Sequence, residues 1–465
     1  MKTFAKVTGE DLAFFESILP GRVFSGGNVS SDYEHDEMTI YGLYAPEAVL
    51  LAQNTDEISA VLRYCCQKGI AVTPRGAGTG LCGGCVAVRG GIVLSTERMK
   101  RVLEVDEKNM TATVEPGVLL MEFPKALEGT GLFYPPDPGE KTATMGGNAM
   151  TNAGGMRAVR YGVTRDYVLG MEVVLSSGEI LTLGGKNVKT SSGYSLIDLL
   201  VGSEGTLGIL TKLTVKLIPE PKANISLLIP FDDLDTCIGA VPAVLGCGCE
   251  PTAVEFMERE VIACAETYLG KQFPDASVDA YLLVRLDGAS VEALRPAMDR
   301  LTDLALSIGA RDVLLADTDE RKESIWNARG AFLEAIKNST TVMDECDVVV
   351  PRERIADFVR QSGQIGREAG VRICSFGHAG DGNLHIYVCK DAMEDQAWAK
   401  ALEQVMDRLY AAARNLGGEV SGEHGIGHAK REFLRESLGE TQMALMRGIK
   451  SVFDPAGILN PGKVL

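Results

Sequence analysis

The sequence predicts an α+β fold, with a first domain of short strands and long glycine loops followed by a second in which amphipathic helices alternate with single strands. Three observations carry this. From about residue 35 to 220, apolar runs of strand length are bounded by glycine clusters; at Pro219-Glu-Pro221 that texture stops; from about 222 to 415 helical periodicity dominates.

Residues 1–34 read as a helical N-terminal segment. In the first domain, 35–221, the runs Ala71–Pro74, Gly91–Ser95, Ala112–Glu115, Leu169–Leu175 and Leu207–Leu217 have strand length, whereas Thr55–Lys68 and Leu119–Gly131 show helical spacing. In the second, 222–415, the expected strands are Ile225–Ile229, Ala280–Val284, Asp347–Val350, Val371–Phe376 and Leu384–Cys389. The expected helices there are Val291–Ile308, Arg352–Ala369 and Asp395–Leu416, which predicts a sheet, antiparallel in part, with helices packed on one face. Residues 416–465 form a C-terminal segment.

The 465 residues are 45% apolar and 23% charged, the balance of a folded enzyme. Acidic side chains outnumber basic ones, 63 to 46, and the formal charge of −17 excludes nucleic acid as the main ligand. The N-terminal stretch has no apolar core of signal length, and no run of about 18 apolar residues occurs, so the expectation is an unanchored cytoplasmic protein. Eleven cysteines at irregular spacing read as reduced thiols. Cys65-Cys66 and Cys247-Gly-Cys249 fit small apolar fillers. Cys82-Gly-Gly-Cys85 lacks a second pair at zinc spacing, and no run has an iron–sulfur pattern.

Chemistry concentrates in two sets of motifs. After the strand Ala71–Pro74 comes Pro74-Arg-Gly-Ala-Gly-Thr-Gly-Leu-Cys-Gly-Gly84, with five glycines in nine residues. Glycine permits a backbone whose N–H groups converge on an anion such as a pyrophosphate. The loop matches neither the dinucleotide fingerprint of a doubly wound fold nor a P-loop ending. Pro135–Gly139, Thr142–Gly155 and Gly202–Gly208 follow, three more loops of small residues able to wrap a long ligand. The second set holds four of the five histidines. Phe376-Gly-His-Ala-Gly-Asp-Gly-Asn-Leu-His-Ile386 ends one strand and begins the next, so a tight turn places His378 beside His385 as paired metal ligands. Glu423, in Gly417–Gly427, is the candidate third ligand, and His424 next to it is positioned for proton transfer from a hydroxyl.

The order and wording of the glycine loops resemble the FAD-binding domain of the vanillyl-alcohol oxidase and p-cresol methylhydroxylase superfamily. The two histidine motifs resemble its branch of FAD-linked D-lactate dehydrogenases, glycolate oxidase subunits and D-2-hydroxyglutarate dehydrogenases, and the likeness runs over residues 35–465. It implies a p-cresol-methylhydroxylase-type FAD domain and a ferredoxin-like α+β cap with helices on an antiparallel sheet. It implies pyrophosphate binding at Pro74, Arg75, Gly76, Ala77, Gly78, Thr79, Gly80, Leu81, Gly83 and Gly84. Flavin and adenine contacts are implied at Pro138, Thr142, Met145, Gly146, Gly147, Asn148, Thr151, Asn152, Ala153, Gly154, Gly155, Glu204, Gly205, Gly208 and Ile209, with Asn460 near the flavin. The same likeness assigns His378, His385 and Glu423 to a divalent metal, His424 to the catalytic base and Arg329 to the substrate carboxylate. Cys82 stands where relatives often carry serine, and with no histidine between His35 and His378 the FAD is expected to be non-covalent.

The implied reaction is oxidation of a D-2-hydroxy acid, D-lactate ahead of glycolate, with hydride passing to flavin N5. The stretch Met343–Val348 is acidic where relatives that take 2-hydroxyglutarate carry a lysine, which argues against a dicarboxylate. With no iron–sulfur or nicotinamide motif of its own, the chain needs an external acceptor; the relatives it resembles use an electron-transferring flavoprotein, an iron–sulfur subunit or a quinone, and the first is expected here. A non-catalytic flavin-binding subunit needs no metal motif, a zinc hydrolase leaves the glycine loops unexplained, and a non-redox FAD enzyme would show no bleaching by hydroxy acids. Two imidazoles and a carboxylate accept zinc, iron or manganese. Neither the metal nor the oligomeric state, a homodimer included, follows from the sequence.

Overall fold

The computed structural model describes residues 2–465. The chain forms two compact units, one of residues 1–153, 163–220 and 423–465, the other of 154–162 and 221–422. The sequence-derived boundaries differ: the N-terminal segment belongs to the first unit rather than standing by itself, and the first crossing falls at Glu220/Pro221 rather than at 221/222. The short segment Gly154–Gly162 belongs to the second unit, and the C-terminal crossing falls at Gly422/Glu423 rather than at 415/416. Among the described residues no helix is long and apolar enough to cross a membrane, and all eleven cysteines are free thiols.

In the first unit a four-stranded sheet runs Val23–Ser25, Ala48–Leu51, Ile92–Ser95, Val72–Arg75, the last three parallel. The strands Ala48–Leu51 and Ile92–Ser95 are buried from end to end, as parallel pairing between two covered faces requires, and the helices Thr55–Lys68 and Gly9–Ile18 pack on the sheet through Ile58, Leu62, Cys65 and Phe15. Thr55–Lys68 has the bounds its spacing predicts: Asn54 caps its start by accepting from the Glu57 N–H, and Gly69 ends it at φ +72°. The C-terminal segment adds to this sheet, with Val72 N–H donated to Ile458 O and Asn460 N–H to Val72 O at 2.9 and 2.7 Å. A second, antiparallel sheet orders Val102–Asp106, Thr111–Val114, Ile209–Lys216, Val168–Val174 and Ile180–Gly184.

One expected helix is absent. Leu119–Gly131 holds only a 3-10 turn at Phe123–Leu127, because Leu119 bridges to Thr144, Pro124 lacks an N–H, and Gly129 and Gly131 sit at positive φ.

The second unit is built on a seven-stranded, wholly antiparallel sheet in the order Leu314–Ala316, Ala223–Phe231, Ala280–Gly288, Ala253–Glu258, Arg372–His378, Asn383–Cys389, Met343–Val349. The sequence predicts helices on one face; the structure buries both. On one face Leu228, Leu283, Met257, Phe376, Tyr387 and Met343 pack against helices Arg259–Leu269, Asp319–Gly330 and Phe332–Ser339. On the other, Leu227, Leu282, Phe256, Leu384 and Val348 are equally buried, and helices Val291–Ser307, Ile355–Ala369 and Asp395–Asn415 pack against strands of the sheet. Continuous apolar strands signal two covered faces, whereas one wet face would alternate. Helix 355–369 starts three residues later than expected, after a 3-10 turn behind Pro351.

Candidate active site

The alternation of strand side chains decides the layout in the second unit. Met257, Phe376, Tyr387 and Met343 belong to the helix-covered apolar face. Two or four residues along each strand, on that same face, stand Glu255, His378, His385, and Glu345 with Asp347. The apolar face thus ends in a polar row across four neighbouring strands. The register aligns the row: Phe256 pairs with Gly377, so Glu255 falls opposite His378, and Asp347 pairs with His385.

The predicted tight turn exists, and the rings of His378 and His385 stand 5.3 Å apart at 90°. Each is oriented by a carboxylate that the sequence analysis misses. His378 Nδ1 lies 2.8 and 2.9 Å from the two oxygens of Glu255, and His385 Nδ1 lies 3.1 Å from Glu345 Oε1. An ionised carboxylate only accepts, so each Nδ1 carries the proton and donates it. With the proton on Nδ1, the lone pair of each ring lies on Nε2, the arrangement by which proteins orient metal-binding imidazoles. Glu255, Glu345 and Asp347 are 0–3% exposed, and burying this much negative charge at one sheet end favours a bound cation. Burial opposes ionisation of Glu255, but His378 and Arg329 outweigh it and hold the carboxyl below its ordinary range.

Arg329 is buried rather than exposed on its helix, and its Nε and Nη2 both donate to Glu255 Oε2 at 2.9 and 2.7 Å. The guanidinium lies 4.5 Å from the Phe376 ring centroid. A protein carboxylate is therefore its first partner, and a substrate carboxylate can only be its second. The loop that leads to Glu423 is pinned on the same sheet. Ser421 Oγ and Gly422 N–H both donate to Asp347 Oδ2, at 2.7 and 3.2 Å, while Asn383 Nδ2 donates to Asp347 Oδ1. Glu423 follows directly by covalent continuity. Within the first unit, His424 Nε2 lies 3.7 Å from Glu423 Oε1, and the backbone N–H groups of Ile426 and Gly427 both donate to the Glu204 carboxylate, at 2.7 and 2.8 Å.

The glycine loops of the first unit interlock. A Cβ on Gly76 would lie 2.5 Å from Thr144 Oγ1, and one on Gly205, at φ +70°, 2.3 Å from Pro74, so three of the predicted flavin loops abut with no room for side chains. Asn460 Nδ2 fastens the loops by donating to Gly84 O and Glu204 O at 2.8 and 2.7 Å. Buried Asn148 Nδ2 and Ser203 Oγ have no protein partner. Two orphaned polar groups in a cradle of glycines fit a large polar cofactor such as FAD. Some predicted contacts are spent internally. Arg75 turns to the carbonyls of Asp32 and His35 at 2.7 and 2.8 Å, and the Glu204 carboxylate holds the Ile426–Gly427 backbone. Cys82 donates to Gly425 O, and Cys85 accepts from Arg75, each at 3.3 Å, and both are free thiols.

Asp36 and Lys463 also escape the sequence analysis. Burial pushes Lys463 down to about 8. Burial likewise raises Asp36 to about 6, against the N–H groups of Met38 and Gly83 that it accepts. A folded pKa above the ordinary carboxylate value means that the folded chain binds more protons between about pH 4 and 6, so stability falls as pH rises through that window. Asp36→Asn does not titrate. The melting-temperature advantage of the native chain over this variant is expected to be larger at about pH 4.5 than at about pH 7, by the equivalent of roughly 2 kcal/mol. Equal gaps at both pH values would refute a raised Asp36.

The family profile described as "FAD linked oxidases, C-terminal domain" matches residues 220–464, and that described as "FAD binding domain" matches 46–184. The chain is 50% identical to a D-lactate dehydrogenase of Anaerostipes hadrus over 99% of its own length and 98% of the relative's. It is 40% identical to glycolate oxidase subunit GlcD of Bacillus subtilis (strain 168), covering 90% and 89%. In fold it is similar to p-cresol methylhydroxylase, with a TM-score of 0.83 at 17% identity over 99% and 98% of the two chains.

Proposed function

The chain belongs to the FAD-linked oxidases, and from that premise we propose that it is an FAD- and metal-dependent dehydrogenase of small D-2-hydroxy acids, D-lactate first and glycolate next. The observation that carries the reading is the pair of buried imidazoles, His378 and His385, each with Nδ1 committed to a buried carboxylate. A flavin-binding subunit without chemistry would have no use for that pair. The similarity to a D-lactate dehydrogenase supports the substrate class.

When bound, FAD supplies the hydride acceptor and a divalent metal, zinc, iron or manganese, a Lewis acid for the substrate hydroxyl. His378 and His385 would hold the metal with Glu423, which is tethered one residue beyond the Gly422 N–H bonded to Asp347. Arg329 orients the carboxylate through Nη1, the guanidinium nitrogen not donated to Glu255. His424 accepts the hydroxyl proton on its imidazole, and Glu423 beside it favours the resulting imidazolium. The glycine loops and Asn460 hold FAD without a covalent bond. Electrons leave to an external acceptor, an electron-transferring flavoprotein or an iron–sulfur subunit, and the chain works in the cytoplasm.

The test is anaerobic mixing of the purified flavoprotein with D-lactate, L-lactate, glycolate and D-2-hydroxyglutarate while absorbance near about 450 nm is followed. Fast bleaching by D-lactate and slower bleaching by glycolate are expected. An unchanged spectrum with all four acids would remove the proposal.

A further inference from the structure

Resting on the metal and carboxylate assignments just given, we infer that Glu255 is a positioning residue that sets the metal-binding imidazole and the substrate-binding guanidinium from a single carboxylate. Glu255 is fully buried in the strand Ala253–Glu258, on the face that ends in the polar row. Its Oε1 and Oε2 lie 2.8 and 2.9 Å from His378 Nδ1, and Oε2 also accepts from Nε and Nη2 of Arg329 at 2.9 and 2.7 Å. His378 stands on a strand and Arg329 on a helix far from it in sequence, yet the two side chains share this one acceptor.

The surroundings allow little adjustment. Phe376 lies 4.5 Å from the Arg329 guanidinium carbon and 5.2 Å from the His385 ring, and Phe332 packs on the guanidinium from 5.6 Å. A guanidinium held by rings and pinned at Nε and Nη2 can present only its remaining edge. An imidazole pinned at Nδ1 can present only Nε2. Moving the Glu255 carboxylate by the length of one methylene therefore shifts both binding groups together, which an ordinary buried ion pair would not do.

The experiment uses the FAD-loaded protein stripped of metal by chelator and titrated with zinc, with bound zinc measured by elemental analysis and steady-state D-lactate kinetics recorded at saturating zinc. Glu255→Gln is expected to weaken zinc binding by about 10- to 100-fold and to raise the KM for D-lactate more than it lowers kcat. Glu255→Asp is expected to recover part of both. Because Glu255→Gln leaves the Arg329 charge buried, Glu255→Gln/Arg329→Met is made as well: it is expected to recover the melting temperature without the zinc affinity, which separates positioning from a merely structural ion pair. Native zinc affinity in Glu255→Gln or in the double variant, while His378→Ala loses zinc, would overturn the inference and leave the metal assignment standing. Native zinc affinity in His378→Ala would overturn the metal assignment and the inference with it.

Discussion

Replacing His424 with alanine is expected to slow flavin bleaching by D-lactate by about 10²- to 10⁴-fold, the usual contribution of a positioned general base. FAD content should stay native. The imidazole sits on a backbone the protein holds firmly, since the Glu204 carboxylate accepts the N–H groups of both Ile426 and Gly427 at 2.7 and 2.8 Å. A Cβ on Gly427, at φ +52°, would lie 1.9 Å from Cys82 O, so the loop closes tightly against the glycine-rich segment 82–84. The substitution removes a ring without disturbing that framework, and the loss should therefore appear in the rate of proton transfer rather than in cofactor binding. Stopped-flow absorbance under nitrogen measures it, and a rate within about threefold of the native enzyme, against the expected general-base factor, would take the base role away from His424.

Chelation is expected to have an effect of the same order on the reaction and a separate one on stability. After treatment with a strong chelator the protein should remain yellow, lose bleaching by D-lactate by at least about 100-fold, and regain it with zinc or manganese. The stability effect follows from charge. Glu255, Glu345 and Asp347 are 0–3% exposed at one end of the sheet of the second unit. A cation bound there at about 100 times its dissociation constant stabilises the fold by about 2.7 kcal/mol. The melting temperature should fall on chelation and recover with metal. A chelated protein that bleaches and melts as before would show that His378 and His385 are structural residues.

The histidine pair is legible in the sequence because a tight turn between two strands is a local feature, and Phe376–Ile386 spells out both the strands and the turn. Helix 55–68 is legible because its cap, its amphipathic spacing and its terminal glycine all lie within or beside the segment. Glu255 is not legible: nothing within the short strand Ala253–Glu258 marks it until His378 is placed opposite it. Glu345 and Asp347 do carry a signal, since acidic residues two apart in a strand point to one face, but that signal cannot say what the face meets. The failed helix at 119–131 shows the opposite error, local spacing overridden by a bridge to Thr144 and by Pro124.

The α+β class, the run of glycine loops and the histidine motifs are written in contiguous residues, and their backbone needs and side-chain spacing are local, so the chain's sequence suffices for them. That Arg329 answers first to Glu255, that both faces of the seven-stranded sheet are buried, and that Gly154–Gly162 leaves one unit for the other emerge only once the chain is folded. Those facts depend on strand order and register, which bring together residues from distant parts of the chain, and no local propensity encodes which strand will lie beside which.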